Sequence, residues 1–239
     1  MGSEKEHAVM SGDRERVLGS LRRGLGRGQD VAADAAASTA VAQRIARCQR
    51  GPIPARSDLD PAQQVELFEA MAREQAATVV HVARRDGVPA AVADYLKAAN
   101  LPPRVRVAPD PTLGALPWDG QPLLEISTGR AAAEDPVSLT GAFAGIAETG
   151  TLMLRSGAQH PTTLNFLPDV HIVVLRAADV VGPYEDAWNR LRAHEGNGAM
   201  PRTVNFVTGP SRTADIEQTI QLGAHGPRRL HIILIDEMD

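Results

Sequence analysis

The sequence predicts an α/β protein: a mostly parallel sheet flanked by helices, with an N-terminal helical arm. Three observations support this fold class. From residue 61 onward, short apolar runs alternate with segments of helical periodicity, which is typical of parallel sheets covered on both faces. The 239 residues are 43% hydrophobic and 23% charged, as in ordinary globular proteins. The first 50 residues, in contrast, are rich in Ala and Arg and poor in large apolar side chains.

The N-terminal stretch, residues 3–50, has the composition of two helices separated by the glycines between positions 24 and 28. The second helix carries too few large apolar residues to bury a core by itself. Gly51–Pro61 then has the glycine and proline content of a linker. We therefore expect residues 1–55 to form an arm and linker, and residues 56–239 to form the α/β domain.

The elements of the main domain follow from periodicity. Pro61 suits the first turn of a helix, and the apolar residues after it recur at helical spacing. Further helices are predicted at 88–100, 184–194 and 213–223. Strands are predicted at 78–84, 105–109, 150–156, 171–177, 203–209 and 230–236. Strands that alternate with helices in this way form parallel sheets.

Composition excludes several classes of protein. A net charge of −4 argues against a general binder of nucleic acid or of membrane surfaces. No apolar run approaches the roughly 18–20 residues that a membrane-spanning helix needs. The N-terminus lacks the cationic start and apolar core of a signal peptide. These features predict a cytoplasmic protein with no nucleic-acid partner and no membrane span.

No cofactor motif is present in the sequence. Cys48 is the single cysteine, so the chain has no internal disulfide and no multi-thiolate zinc or iron–sulfur site. Neither of the two lysines lies in a phosphate-binding P-loop, and no G-x-G-x-x-G follows a strand. The seven histidines do not form a metal-binding pattern such as H-E-x-x-H. We therefore expect no metal and no cofactor in this chain.

The stretch "VTGPSRTADIEQTIQLGAHGP" is a candidate binding loop, in which a strand is followed by a tight turn and a predicted helix. Free amides at the start of a helix, next to an arginine, suit a carboxylate or phosphate. Asp215 opposes an anion there, unless it holds a hydroxyl or amine of the ligand. The alternative is a well-capped helix without a ligand. The candidate ligand-binding residues here are Gly209, Pro210, Ser211, Arg212, Thr213, Asp215, His225 and Gly226.

The stretch "IAETGTLML" places one carboxylate, Glu148, between two apolar runs. A carboxylate at a strand end can act as a nucleophile or a general base, so Glu148 is the candidate catalytic residue. Thr149, Gly150 and Thr151 beside it are candidate ligand-binding residues. The alternative is a glutamate held in a salt bridge for structural reasons. Because ligands of open α/β sheets bind at the carboxyl ends of the strands, we expect both loops to meet there.

Together, "IAETGTLML", "LNFLPDVHIVVL", "VTGPSRTADIEQTIQLGAHGP" and "LHIILID" resemble the LUD-domain family, over about residues 60–239. The resemblance implies a fold similar to the sugar-phosphate isomerase and CoA-transferase type. It also implies a place in a three-part lactate utilisation system, which oxidises L-lactate to pyruvate. The other two subunits of that system resemble iron–sulfur oxidoreductases, so the resemblance implies iron–sulfur clusters in partner subunits.

The function that the resemblance implies is a non-redox subunit of this system, binding a small anionic ligand or a partner. Any enzymatic role would then be as part of an L-lactate dehydrogenase complex. Two alternatives stay open. "AETG" resembles the E-N-G element of CoA-transferases, with Thr149 in place of Asn, so the chain could be a self-sufficient CoA-transferase-like or isomerase-like enzyme using Glu148. It could also be an assembly scaffold whose arm docks the partner.

Overall fold

The computed structural model describes residues 3–26, 31–196, 198–213 and 221–237. The chain divides into two compact units, Met1–Gly51 and Pro52–Asp239. The first unit consists of two helices, α1 (Ser3–Gly24) and α2 (Val31–Arg47). Several of its large apolar side chains are exposed: Val17, Leu21, Leu25, Val41 and Ile45. The described side chains of this unit therefore bury little apolar surface.

The second unit contains five helices among the described residues. They are α3 (Pro61–Glu74), α4 (Val88–Ala98), α5 (Pro111–Gly114), α6 (Thr163–Phe166) and α7 (Tyr184–Glu195). The start of α3 is fixed by a capping box, in which the Asp60 side chain accepts from the Gln63 amide and the Gln63 side chain accepts from the Asp60 amide. Pro61 occupies the first turn, as the sequence predicts.

Twelve strands are described in the same unit. They are β1 (Thr78–Val82), β2 (Arg104–Val107), β3 (Glu125–Thr128), β4 (Val137–Gly141), β5 (Ala144–Ile146), β6 (Thr151–Arg155), β7 (Val170–Arg176), β8 (Val180–Val181), β9 (Val204–Val207), β10 (Arg212–Thr213), β11 (Gln221–Leu222) and β12 (Arg229–Ile235). Six of them form a sheet in the order β1-β12-β7-β4-β2-β3, and every pairing in it is parallel. The predicted α/β fold class is therefore confirmed.

The sheet is covered on both faces because β7 and β12 are apolar on both sides. Ile172 and Ile233 pack with α4 and α6 on one face. Val173 and Ile232 pack on the other face against Phe68 of α3 and the second sheet. That second sheet has the order β8-β5-β6-β9 and carries α7 on its outer side. The fold is thus layered as helices, parallel sheet, mixed sheet and helix.

The mixed sheet is a difference from the sequence prediction. The strands predicted at 150–156 and 203–209 do not join the parallel sheet; β6 and β9 pair with each other antiparallel. β3 and β4, which the prediction omits, complete the parallel sheet instead. "VSLTG" and "EIST" mix polar and apolar residues, so they lack the unbroken apolar run that marks a buried strand.

The prediction of a helix at 213–223 is wrong at both ends of that range. β10 and β11 pair antiparallel, with Arg212 opposite Leu222 and Thr213 opposite Gln221. The Ser211 amide donates to the Pro227 carbonyl oxygen, at 2.8 Å. The backbone of this loop therefore bonds across to residues 221–227 rather than along a helix. The middle of the predicted helix, including Asp215, lies outside the described residues. No helix of the described ranges is long and apolar enough to cross a membrane.

Candidate functional site

Glu148 lies two residues after β5, beside the first turn of α7. Its amide donates to the Gly182 carbonyl oxygen at 3.0 Å, and its Oε2 accepts from the Tyr184 amide at 3.4 Å. The first amides of a helix have no partner within the helix and favour negative charge. The Glu148 carboxylate therefore stabilises the start of α7. Its proposed role as nucleophile or base stays a prediction.

The two predicted loops meet through hydroxyl groups. Thr151 Oγ1 lies 2.6 Å from Thr208 Oγ1 and 2.7 Å from Thr149 Oγ1. The Tyr184 hydroxyl lies 2.9 Å from Thr149 Oγ1 and 3.0 Å from Thr151 Oγ1. Thr151 is fully buried, so this cluster is a link between the loops that is largely shielded from solvent.

Gly150 and Gly209 both pack against the end of α3. Both have left-handed backbones, with φ of +64° and +71°. A Cβ on Gly150 would lie 2.2 Å from the Ala72 nitrogen, and one on Gly209 would lie 2.1 Å from the Gln75 oxygen. Arg212 donates through Nη2 to the same Gln75 oxygen, at 2.6 Å. These glycines are therefore needed for close backbone packing, whether or not a ligand binds.

Six of the predicted residues line one cavity of about 300 Å³, which we call the loop cavity. The His225 amide donates to Ser211 Oγ at 3.3 Å, which ties its two loops together. His171 and Leu230, near the amino ends of β7 and β12, also line it. The predicted residues in the lining are Gly209, Pro210, Ser211, Arg212, His225 and Gly226. Their binding of a ligand stays a prediction, but they lie at the amino ends of the parallel strands, not at the carboxyl ends.

His171 is one of two buried polar residues that line the loop cavity, the other being Asn165. Its Nε2 lies 2.8 Å from Thr140 Oγ1, and its Nδ1 has no hydrogen-bond partner among the described residues. Burial lowers the pKa of His171 to about 3. The imidazole is therefore neutral at physiological pH.

A larger cavity of about 420 Å³, which we call the arginine cavity, opens at the carboxyl ends of the parallel strands. Gly141, Arg176 and Ile235 end three adjacent strands of the sheet and line it. Its charged lining is mainly basic, with two aspartates against six arginines and histidines: Asp110, Asp179, Arg85, Arg155, Arg176, Arg190, His160 and His194. When Glu195, which pairs with Arg155, is counted with the two aspartates, the four guanidinium groups exceed the three carboxylates by one positive charge.

Salt bridges hold these arginines in place. Arg176 donates to both carboxylate oxygens of Asp179, at 2.7 and 2.8 Å, and Arg190 also pairs with Asp179. Arg155 donates through Nη1 to Glu195 Oε1 at 3.0 Å. A guanidinium has five N–H donors, so it can hold a protein carboxylate and a ligand at once. The arginines are therefore preorganised for an anionic ligand.

An aromatic ring lies beneath two of the guanidinium groups. The Cζ atoms of Arg155 and Arg190 lie 5.3 and 5.7 Å from the centre of the Phe143 ring. His194 meets the same ring edge-on, with 5.5 Å between the ring centres. Such cation–π contacts restrict the arginines further and keep their charge near the cavity.

His160 and Asp110 form the titratable pair of the arginine cavity. His160 Nδ1 lies 4.0 Å from Asp110 Oδ2. Burial lowers the pKa of His160 below its usual 6.5; the Asp110 carboxylate acts in the opposite direction, and Arg155 in the same direction. Asp110 also accepts from the Thr112 amide and hydroxyl, both at 2.8 Å, which fixes its orientation. His160 is therefore a neutral acceptor for a ligand proton at physiological pH.

Sequence reasoning missed the arginine cavity as a site. A signal was present, because "TLMLR" and "HIVVLR" each end an apolar strand with an arginine. Arg176 ends a strand of the parallel sheet, and such a residue lies at the edge where ligands bind. Arg155 ends β6 of the mixed sheet and lines the same cavity. In the described part of the chain, no three His, Cys, Asp or Glu side chains are close enough to hold a metal ion.

Comparisons with known proteins identify the family. A family model described as the LUD domain matches residues 113–235. Lactate utilization protein C of Deinococcus radiodurans is 33% identical over 188 residues, which are 77% of this chain and 85% of that protein. An uncharacterized protein of Neisseria meningitidis is 44% identical over 96 residues, but the match covers only 40% of each chain.

A solved structure supports the fold. The crystal structure of a DUF162 family protein from Deinococcus radiodurans superimposes with a TM-score of 0.54 and 24% identity. The match covers 74% of this chain and 99% of that one. Taken with the family-model match over 113–235, these similarities show that the chain belongs to the LUD-domain family.

Proposed function

We propose that this chain is a non-redox subunit of an L-lactate utilisation system and that its arginine cavity binds a small carboxylate. Relatives named lactate utilization protein C support a role in lactate utilisation. The observation that carries the ligand proposal is a group of four arginines, exceeding the nearby carboxylates by one positive charge, in a cavity at the carboxyl edge of the sheet. Arginine pairs with carboxylates through two parallel hydrogen bonds, so it suits lactate or pyruvate.

Oxidation of L-lactate to pyruvate releases two electrons and two protons. We propose that the electrons pass to iron–sulfur clusters in partner subunits, because the only cysteine, Cys48, cannot hold a cluster alone. The proton of the lactate hydroxyl would go to His160, which burial keeps neutral beside Asp110. The proton of the C2–H bond would go to solvent as the two electrons of that bond pass to the partner subunits. The arginines would hold the carboxylate and orient the hydroxyl toward this acceptor.

Binding to the purified chain tests the ligand proposal. L-lactate and pyruvate should bind saturably in isothermal titration calorimetry, and Arg155→Met should weaken both about tenfold or more, as expected for loss of a charge-assisted bond. Arg104→Met is the matched control, because Arg104 is exposed at the amino end of β2 and donates to the Glu134 oxygen. Equal affinity of wild type and Arg155→Met would contradict the site.

Growth tests the cellular role. A strain that lacks the gene should not grow on L-lactate but should grow on pyruvate, because only the oxidation step is missing. The wild-type gene and Arg104→Met should restore growth on L-lactate, whereas Arg155→Met should not. Normal growth of the deletion strain on L-lactate would refute the proposed function.

A further inference from the structure

A third cavity adjoins the arginine cavity and has a different lining. It has a volume of about 510 Å³, and we call it the hydroxyl cavity. Two arginines from separate loops line it, Arg130 and Arg202. Four hydroxyl residues complete its polar lining, Ser156, Thr162, Thr163 and Thr203, together with His160. Among the residues that line it, none is a carboxylate.

The hydroxyl cavity shares a wall with the arginine cavity. His160 lines both of them. At the end of β6, Arg155 lines the arginine cavity and the next residue, Ser156, lines the hydroxyl cavity. A group bound in either cavity is therefore next to the same imidazole, which is only 20% exposed.

Two of the hydroxyl groups in this cavity accept a backbone hydrogen bond. Ser156 Oγ accepts from the Thr203 amide at 2.9 Å, and Thr163 Oγ1 accepts from the Ala131 amide at 3.2 Å. A hydroxyl whose oxygen accepts from the backbone keeps its hydrogen for another acceptor. With two guanidinium groups beside them, the ligand that matches this set is an anion with several acceptor oxygens.

Phosphate fits this donor set better than carboxylate. It presents three oxygens to donors in different directions, and arginine pairs with it through two parallel bonds. The volume of the cavity lies within the range of about 300–1,000 Å³ that is typical of sites for small organic ligands. A phosphate bonded to an organic group would therefore fill it better than a free ion.

We propose that the hydroxyl cavity binds the phosphate group of a phosphorylated organic ligand, and that His160 lies between this ligand and the one in the arginine cavity. The phosphate site stands without the proposed function; the position of His160 between two ligands rests on it. Arg130 and Arg202 hold the phosphate charge, and Ser156 and Thr163 donate hydrogen bonds to its oxygens.

Inorganic phosphate and phenyl phosphate, titrated into the full chain at constant ionic strength, test the proposal. Both should bind saturably by calorimetry, with phenyl phosphate the tighter ligand. Arg202→Met should weaken both about tenfold or more, because a charge-assisted bond is lost. Arg104→Met should leave both affinities unchanged, since Arg104 lines neither cavity. Arg202 and Arg104 are exposed, so neither variant endangers folding.

The histidine provides a second readout. Phosphate binding should raise the pKa of His160, measured from its ring resonances by NMR, because an adjacent anion stabilises the imidazolium form. The increase should be absent in Arg202→Met at the same phosphate concentration. No saturable binding, equal affinity of wild type and Arg202→Met, or an unchanged His160 pKa would overturn the proposal. Tighter binding of inorganic phosphate than of phenyl phosphate would refute the claim that the ligand carries an organic group.

Crossed titrations separate this proposal from the proposed function. L-lactate should lose affinity with Arg155→Met and keep it with Arg202→Met, whereas phosphate should show the opposite pattern. If the affinity for phosphate depends on Arg202 and L-lactate does not bind, the phosphate site stands and the proposed function fails. If the affinity for phosphate depends on Arg155 instead, phosphate occupies the arginine cavity and the phosphate site in the hydroxyl cavity is refuted.

Discussion

His171 shows how burial determines the chemistry of a single residue. Its imidazole is fully buried in β7, and its pKa is lowered to about 3. The unfolded chain therefore binds a proton between about pH 3 and 6.5 that the folded chain does not bind. Stability from this group is complete above pH 6.5 and is lost as the pH falls toward 3, at about 1.4 kcal/mol per pH unit.

We predict that His171→Leu removes this part of the pH dependence. In urea unfolding between pH 4 and 6, the slope of unfolding free energy against pH should fall by about 1.4 kcal/mol per unit. Thr140→Val is the control, because it removes the hydroxyl bonded to His171 Nε2 but leaves the imidazole buried. It should change the stability and keep the slope. An unchanged slope in His171→Leu would show that the imidazole is protonated in the fold.

Glu148 is a residue for which structural and catalytic roles predict different results. Glu148→Gln should lower the free energy of unfolding by about 0.3–1 kcal/mol, because the charge beside the first amides of α7 is lost. Growth on L-lactate should be retained if the carboxylate serves only α7. Glu185→Gln removes a charge from the same helix turn and is the matched control. Loss of growth with Glu148→Gln alone would support the catalytic role instead.

At the scale of secondary-structure elements, two loops pack against the end of α3. Gly150→Ala and Gly209→Ala should each lower the free energy of unfolding by about 3 kcal/mol or more, because a Cβ would overlap backbone atoms of α3 or Gln75. Urea unfolding measures this. Gly198→Ala is the control: its φ is +73°, and a Cβ there meets no atom within 4 Å.

The control variant separates two effects. Gly198→Ala should lower the free energy of unfolding only by the penalty for a positive φ, about 1–2 kcal/mol. The additional loss in Gly150→Ala and Gly209→Ala then measures the close approach of the loops to α3. Similar losses in all three variants would show that the loops can move away from the helix.

The predictable strands were those buried on both faces. β7 and β12 are apolar apart from one histidine and one terminal arginine each, and their place in a parallel sheet follows from the sequence. Pairing across the chain was not predictable, because Thr151–Arg155 has the same local pattern whether its neighbour is parallel or antiparallel. The hairpin of β10 and β11 has two residues in each strand, too few for any periodicity.

The candidate sites were predictable only in part, for a similar reason. The predicted part of the loop cavity comes from two segments less than twenty residues apart, with glycine and proline marking both turns; His171 and Leu230 also line it and were not predicted. The arginine cavity collects side chains from Arg85 to His194. Arg155 and Arg176 each end an apolar strand, but nothing in the local sequence marks Arg85 or Arg190, and only the tertiary fold brings the four together.

At the scale of the molecule, the core of the described chain belongs to one unit. The buried apolar residues all lie in Pro52–Asp239, starting with Phe68 of α3. We therefore predict that a chain beginning at Pro52 folds by itself. Its Tm should lie within about 4 °C of the full chain, which for a domain of this size corresponds to a change of about 1–2 kcal/mol. Calorimetry measures this directly.

A chain beginning at Gln75 is the matched control for that truncation. It lacks α3, and with it the fully buried Phe68 and Ala72, which pack against Val173 and Leu175 of the parallel sheet. Loss of a buried phenylalanine alone removes about 3–5 kcal/mol, a large part of the stability of a typical domain. The Gln75 chain should therefore show no cooperative unfolding, whereas the Pro52 chain should. If neither chain unfolds cooperatively, Met1–Gly51 is required for folding.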